Sequence, residues 1–193
     1  MFPDPCELKE KAYSLYRNGC PHSAIRCLNL FLRLEEEDSE AYFLRGCCYT
    51  QLSDPESALE DFDSCIRLDG SNTEAYLEKG NTLQYMGDRE GAIEQYEKAQ
   101  ALDPFMSDAV YNLGSLYLEN EDYPAAADYF LRVAQLRPWD VDCLNNLAVC
   151  FAFMGDAQRA AELLEQAVSI NQDHEDARVN LDIIRQQFPR RGD

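Results

Sequence analysis

A chain of 193 residues, 46% of them apolar, has enough hydrophobic material to bury a continuous core, which excludes a disordered polymer. Its 36 acidic against 17 basic side chains leave a formal net charge of −19, a field that repels phosphates and anionic lipid head groups, so nucleic acid and membrane surfaces are excluded as partners. No stretch approaches the roughly 20 apolar residues that cross a bilayer, and Met1-Phe2-Pro3-Asp4-Pro5 lacks the basic and apolar regions of a signal peptide, so a cytoplasmic protein is expected.

After a short tail over 1–4, Asp4-Pro5-Cys6-Glu7 reads as an acidic N-cap, a proline at the first helical position and a glutamate three residues after the cap. From there the chain repeats every 34 residues without insertion or deletion, as 5–38, 39–72, 73–106, 107–140 and 141–174. The eighth place of each unit is small (Ala12, Gly46, Gly80, Gly114, Ala148), and the twentieth is always alanine (Ala24, Ala58, Ala92, Ala126, Ala160). Two helices approach to about 8–10 Å only through small side chains, so these places predict where a helix pair crosses. Place eleven (Leu15, Tyr49, Leu83, Tyr117, Phe151) and place twenty-four (Leu28, Phe62, Tyr96, Phe130, Leu164) are large, and are expected to pack between neighbouring hairpins.

Turn residues fall in the middle of every unit, at Asn18-Gly19, Ser53-Asp54-Pro55, Gly87-Asp88, Asn120 to Pro124 and Gly155-Asp156, where a first helix must stop and a second begin. Asp103-Pro104 and Arg137-Pro138 close the third and fourth units. Residues 175–188 then repeat the start of a first helix, with Ala177, Leu181, Ile184 and Phe188 as an apolar stripe and Arg178, Asp182 and Arg185 as a polar outer face, which predicts a capping helix. Residues 189–193 form a tail whose Arg-Gly-Asp ending is read as a chance tripeptide.

The pattern of a bulky residue, a small one, a tyrosine, then alanine, an aromatic, alanine and proline resembles the tetratricopeptide repeat family. It stands most fully in Tyr76, Gly80, Ala92, Tyr96, Ala99 and Pro104, and in Leu113, Gly114, Tyr117, Ala126, Phe130 and Pro138; the first unit departs from it at Phe31 and Glu36. The resemblance implies an all-α fold, a right-handed superhelical solenoid of antiparallel helix hairpins, whose work is to bind other proteins.

Enzymatic chemistry is not expected. The sequence has no phosphate-binding glycine loop and no nucleophile elbow, and its two histidines, His22 and His174, lie near turns, so no catalytic residue is assigned. The cysteines at 6, 20, 27, 47, 48, 65, 143 and 150 include no C-x-x-C pair; they read as reduced thiols, with Cys65, Cys143 and Cys150 acting as small core residues, and neither metal nor cofactor is expected.

The resemblance also implies that places 2, 5, 6, 9, 12 and 13 line a concave groove. On this chain those places include Phe43, Glu74, Asn81, Tyr85, Asp108, Tyr111, Asn112, Asp142, Asn146, Phe153 and Asn180. Asn112, Asn146 and Asn180 share one place in successive units, so their amides are expected to form a ladder able to grip a peptide backbone, similar to the asparagine ladder of O-linked sugar transferases. The alternative is that they satisfy neighbouring helix polar groups or water. Glu40, Glu74, Asp108, Asp142 and Asp176 recur at place two; they complement helix dipoles and, beside the rings, favour a neutral or basic ligand. Family members that clamp acidic chaperone tails need lysine and arginine where this chain has Glu74, Glu78, Asp142 and Asn146, so that ligand is not expected. An adaptor for a neutral-to-basic peptide or helix is the leading expectation. The alternatives are self-association through Val149, Val179 and Ile183, or a recruiting subunit of a larger enzyme complex.

Overall fold

The computed structural model describes residues 4–188; the opening Met1–Pro3 and the Arg-Gly-Asp tail lie outside the described residues. Among the described residues there are eleven α-helices and no strand. They are α1 (Pro5–Arg17), α2 (Pro21–Phe31), α3 (Ser39–Gln51), α4 (Pro55–Leu68), α5 (Thr73–Tyr85), α6 (Arg89–Leu102), α7 (Ser107–Glu119), α8 (Tyr123–Leu136), α9 (Val141–Phe153), α10 (Ala157–Ile170) and α11 (Glu175–Gln187). The chain divides into two units, Met1–Asp103 with α1 to α6 and Pro104–Asp193 with α7 to α11. The division falls in the loop between the third and fourth repeats.

Within the first unit α1/α2, α3/α4 and α5/α6 are hairpins, α2 and α4 also pack on the first helix of the next hairpin, and α1, α3 and α5 are neighbours. The second unit has the same order: hairpins α7/α8 and α9/α10, α8 against α9, α10 against α11, and α7, α9 and α11 side by side. Each half therefore presents a face built from first helices only.

Three hairpins close on the same contact. An ideal Cβ added to Gly46 would stand 2.7 Å from the Phe62 ring, one on Gly80 2.5 Å from Tyr96, and one on Gly114 3.0 Å from Phe130. In these three hairpins the large residue at place twenty-four thus lies over the glycine at place eight of its own hairpin. Where place eight is alanine (Ala12, Ala148), place twenty-four is leucine (Leu28, Leu164) and all four are buried. A ring therefore goes with a bare backbone and a narrower leucine with a methyl group, so each pair fills similar space. The five alanines at place twenty are fully buried as well.

The hairpin turns share one backbone device. Place fifteen has positive φ in every unit: Gly19 (68°), Ser53 (56°), Gly87 (84°), Glu121 (61°) and Gly155 (85°). The next residue's N–H returns to the carbonyl at place eleven, from Cys20 to Leu15, Asp54 to Tyr49, Asp88 to Leu83, Asp122 to Tyr117 and Asp156 to Phe151, at 2.8 to 3.0 Å. This is the Schellman closure of a helix C-terminus.

Much of the negative charge is spent on helix ends. Asp4, Asp38, Asp54, Asp88, Asp122, Asp140 and Asp156 each accept a backbone N–H in the first turn of a helix, and Asn72 and His174 do the same. A feature without a local signal is Arg45 on α3, whose guanidinium binds both carboxylate oxygens of buried Asp61 on α4 (2.7 and 2.6 Å) and the Asn29 side chain on α2 (2.6 Å).

The helix expected over 175–188 is present as α11, with Ala177, Leu181 and Ile184 buried and Phe188 54% exposed. Asp182 occupies the eighth place of this would-be sixth unit, where every complete hairpin has glycine or alanine.

Glu121 pays for a left-handed conformation that glycine adopts freely. Glu121→Gly is expected to raise the unfolding free energy by about 0.5–1 kcal/mol in chemical denaturation, because relief of the Cβ strain exceeds the extra chain entropy of glycine; a loss of stability would contradict this account of the turn.

Candidate functional site

In the second half the first helices are joined by a run of polar side chains. Asn146 Nδ2 on α9 donates to the Tyr111 hydroxyl on α7 (3.0 Å), and Asn180 Nδ2 on α11 donates to Asn145 Oδ1 on α9 (2.9 Å). Asn145 Nδ2 lies 3.5 Å from Asn146 Oδ1 and completes the chain. Both inter-helix bonds span 35 residues, from place six of one unit to place five of the unit before. Asn146 and Asn180 therefore bond sideways to place five of the neighbouring first helix. An amide has two donors and two acceptor lone pairs, so each retains capacity toward a ligand after one bond. Asn112 lies half-buried on α7.

Tyr111 packs edge-on against Phe130 with centroids 5.5 Å apart, and burial, with Asp142 adding to it, pushes its phenol above the ordinary tyrosine range. Its hydroxyl is thus a stable neutral partner for Asn146. Phe153 behaves differently: it is 66% exposed and lies flat on Tyr123 with centroids 4.5 Å apart, so the ring is held by one face and presented to solvent. Beside it is a recess of about 400 Å³ lined by Val149, Phe153, Ile183 and Phe188, with Asn180 and Gln187 among its polar lining. Tyr123, Gln187 and Phe188 were not among the expected groove residues. Tyr123 is on a second helix, outside the six groove places, and spacing cannot show that its ring reaches the end of α9.

The acids at place two are largely committed. Glu40 bonds Lys9 at 2.7 Å, Asp108 bonds Arg137 at 2.9 Å, and Asp142 bonds His174 Nε2 at 2.9 Å. Exposed pairs of this kind contribute little energy, but Lys9 and Arg137 neutralise part of the negative row, while His174 gives Asp142 a hydrogen bond.

In the first half, Phe43 is half-buried and tilted on Phe62 with centroids 6.0 Å apart, so its ring serves the core. Tyr85 is 73% exposed and, with Thr50, Ser53, Pro55, Asn81 and Thr82, lines a small recess of about 130 Å³. Tyr96 Oη sits 2.8 Å from both Asn81 Oδ1 and Gln84 Oε1, and its single proton is donated to one or other of these two acceptors. Glu74 is exposed, and Glu78 one turn later has its carboxyl pushed up by burial. Asn81, Tyr85, Phe43 and Glu74 thus belong to the first half, and Tyr111, Asn112, Asn146, Asn180, Phe153, Asp108 and Asp142 to the second.

The thiols are core material. Cys48, Cys65, Cys143 and Cys150 are buried and their pKa values are pushed up by burial, to about 11 for Cys48, Cys65 and Cys150 and about 12 for Cys143, which keeps them protonated. No group of acidic, histidine and cysteine side chains that could hold a metal occurs among the described residues. None of their helices is long and apolar enough to cross a membrane.

Stacked antiparallel helix hairpins with one small-to-large contact per 34 residues define a helical-repeat protein. Tetratricopeptide repeat family models match residues 39–72, 77–141 and 117–181, and the chain belongs to that family. No curated protein matches it significantly. Among solved structures it is similar to a MamA fragment from Desulfovibrio magneticus (TM-score 0.79, 23% identity, 91% of this chain and 99% of that one). It is similar also to YrrB, described as a tetratricopeptide repeat protein with an unusual peptide-binding site (TM-score 0.77, 21% identity, 91% of each chain). A third similar structure is a repeat protein from Cytophaga hutchinsonii (TM-score 0.81, 19% identity, 95% of this chain and 73% of that one). The fold typically mediates protein–protein interaction and is in general a non-catalytic scaffold.

The bond between Tyr111 and Asn146 is expected to couple α7 to α9. In a double-mutant cycle of Tyr111→Phe with Asn146→Ala, denaturation should give a coupling of about 1 kcal/mol, and additive effects would remove the bond from the account.

Proposed function

We propose that this chain is a non-catalytic adaptor whose first-helix face in the second half binds a neutral-to-basic segment of another protein. The observation that carries the reading is the exposed Phe153 ring beside a recess of about 400 Å³ lined by Val149, Ile183 and Phe188, on the face where Asn146 and Asn180 hold spare amide groups. An apolar side chain of the ligand enters the recess and its backbone meets the amides. The net charge of −19 draws a basic segment and repels an acidic one. Tyr85 and Asn81 in the first half supply a second, smaller contact point.

The same apolar side chains could join two copies of the chain, with Val179 and Ile183 exposed on α11. Two bodies of like charge repel, which favours a heterologous ligand.

Selection from a displayed library of short random peptides tests the reading. Sequences with a bulky apolar residue next to lysine or arginine are expected, and Phe153→Ala should weaken them about tenfold or more, the size of a hot-spot loss. Enrichment of acidic peptides, unchanged affinity of Phe153→Ala, or concentration-dependent dimers in sedimentation without peptide binding would contradict it.

A further inference from the structure

His174 has two bonds, one to each ring nitrogen. Nδ1 accepts the Ala177 N–H (3.1 Å) and so forms the N-cap of α11, while Nε2 meets Asp142 Oδ1 on α9 (2.9 Å). An acceptor nitrogen carries no proton, so this geometry requires the neutral ring with its proton on Nε2, donated to the carboxylate. The same place is held by Asp38 before α3, Asn72 before α5 and Asp140 before α9, which accept their N–H bonds without changing charge near neutrality. An imidazole ordinarily titrates between pH 5 and 8.

We propose that His174 makes the docking of α11 acid-sensitive: a second proton, taken up on Nδ1, removes the N-cap and sets a cation at the positive end of the helix. The charged group that meets the ring is Asp142 on α9, and its charged neighbours along the chain are Asp173 in the turn before it and Glu175, Asp176 and Arg178 on α11. The preceding α10 ends at Ile170 and offers the neutral Asn171, whose carbonyl accepts the His174 N–H at 3.3 Å. Asp173, Glu175 and Asp176 stay close to the ring in sequence whether or not α11 is docked, so they do not distinguish the two states. Asp142 is the carboxylate that comes from another helix. It favours the imidazolium in the docked state, but its side chain is 72% exposed and it already receives the Nε2 proton from the neutral ring, so charging the ring adds only a screened attraction. Against this stand the lost cap and the unfavourable helix dipole. The docked helix therefore prefers the neutral ring. Its stabilisation is present above the titration of the imidazole and is lost as pH falls through it.

Because α11 supplies Asn180, Ile183 and Phe188 to the recess, loosening it in acid would open that wall. Release of a bound segment would follow only through the docking face proposed above, whereas the exchange of α11 amides reports the helix itself.

Hydrogen exchange of the amides from Ala177 to Ile184 in the full chain, corrected for intrinsic rates, is to be compared at neutral pH and near pH 5. Protection should fall about fivefold in acid, the size of losing one N-cap. It should stay level in His174→Asn, which caps without titrating, and fall further in Asp142→Asn, which lacks the opposing pair. Imidazole nitrogen shifts at neutral pH should show the proton on Nε2. Equal protection at both pH values, the same fall in His174→Asn, or a proton on Nδ1 at neutral pH would each overturn the proposal.

Discussion

The three middle hairpins of this protein depend on one steric agreement between two residues 16 places apart: the side chain at place twenty-four lies on the helix backbone at place eight. The three glycines leave room for Phe62, Tyr96 and Phe130, and the two alanines are matched by Leu28 and Leu164. Since protein interiors are as dense as organic crystals, an extra methyl group under a ring cannot be absorbed without moving the helix. The matched sizes therefore set how closely the second helix sits on the first. The backbone closure at place fifteen sets the turn that brings them together.

Functional character follows from what this contact leaves unused. With second helices committed to the crossing, the first helices α7, α9 and α11 lie side by side, and their outward places five and six come within hydrogen-bonding reach across a 35-residue step. Polar residues there both tie the helices together and face solvent with remaining donors and acceptors. The negative charge divides in a similar way. Seven aspartates cap helices and the acids Glu40 and Asp108 have basic partners, so the ligand-facing field is weaker than the net charge suggests. What distinguishes the second half is an exposed ring, Phe153, held flat on Tyr123 at the edge of an apolar recess.

The fold was legible because its determinants are local and repeated: small residues at fixed places, turn residues in mid-unit, and side-chain caps before nine of the eleven described helices. The site was less so. The places of Asn146 and Asn180 were readable, but their bonds depend on rotamers and on neighbours 35 residues away, and the two roles open to them could not be separated by spacing. Phe43 and Phe153 look alike as groove rings, yet one leans on Phe62 in the core and the other projects into solvent. The Arg45 to Asp61 pair joins residues 16 apart on different helices and leaves no periodic trace. The capping role of His174 did have a signal, since the equivalent place in other units holds Asp38, Asn72 and Asp140, but histidine is a rarer cap than aspartate.

The size-matching claim is tested most directly by a double-mutant cycle at Gly46 and Phe62, converting the pair to the alanine and leucine found in the first and fifth hairpins. Gly46→Ala alone should clash with the ring, and Phe62→Leu alone should leave unfilled space. Together they should be more stable than the sum of their separate effects by at least about 1 kcal/mol in equilibrium denaturation. Strictly additive effects would contradict the interlock as the contact on which this hairpin closes.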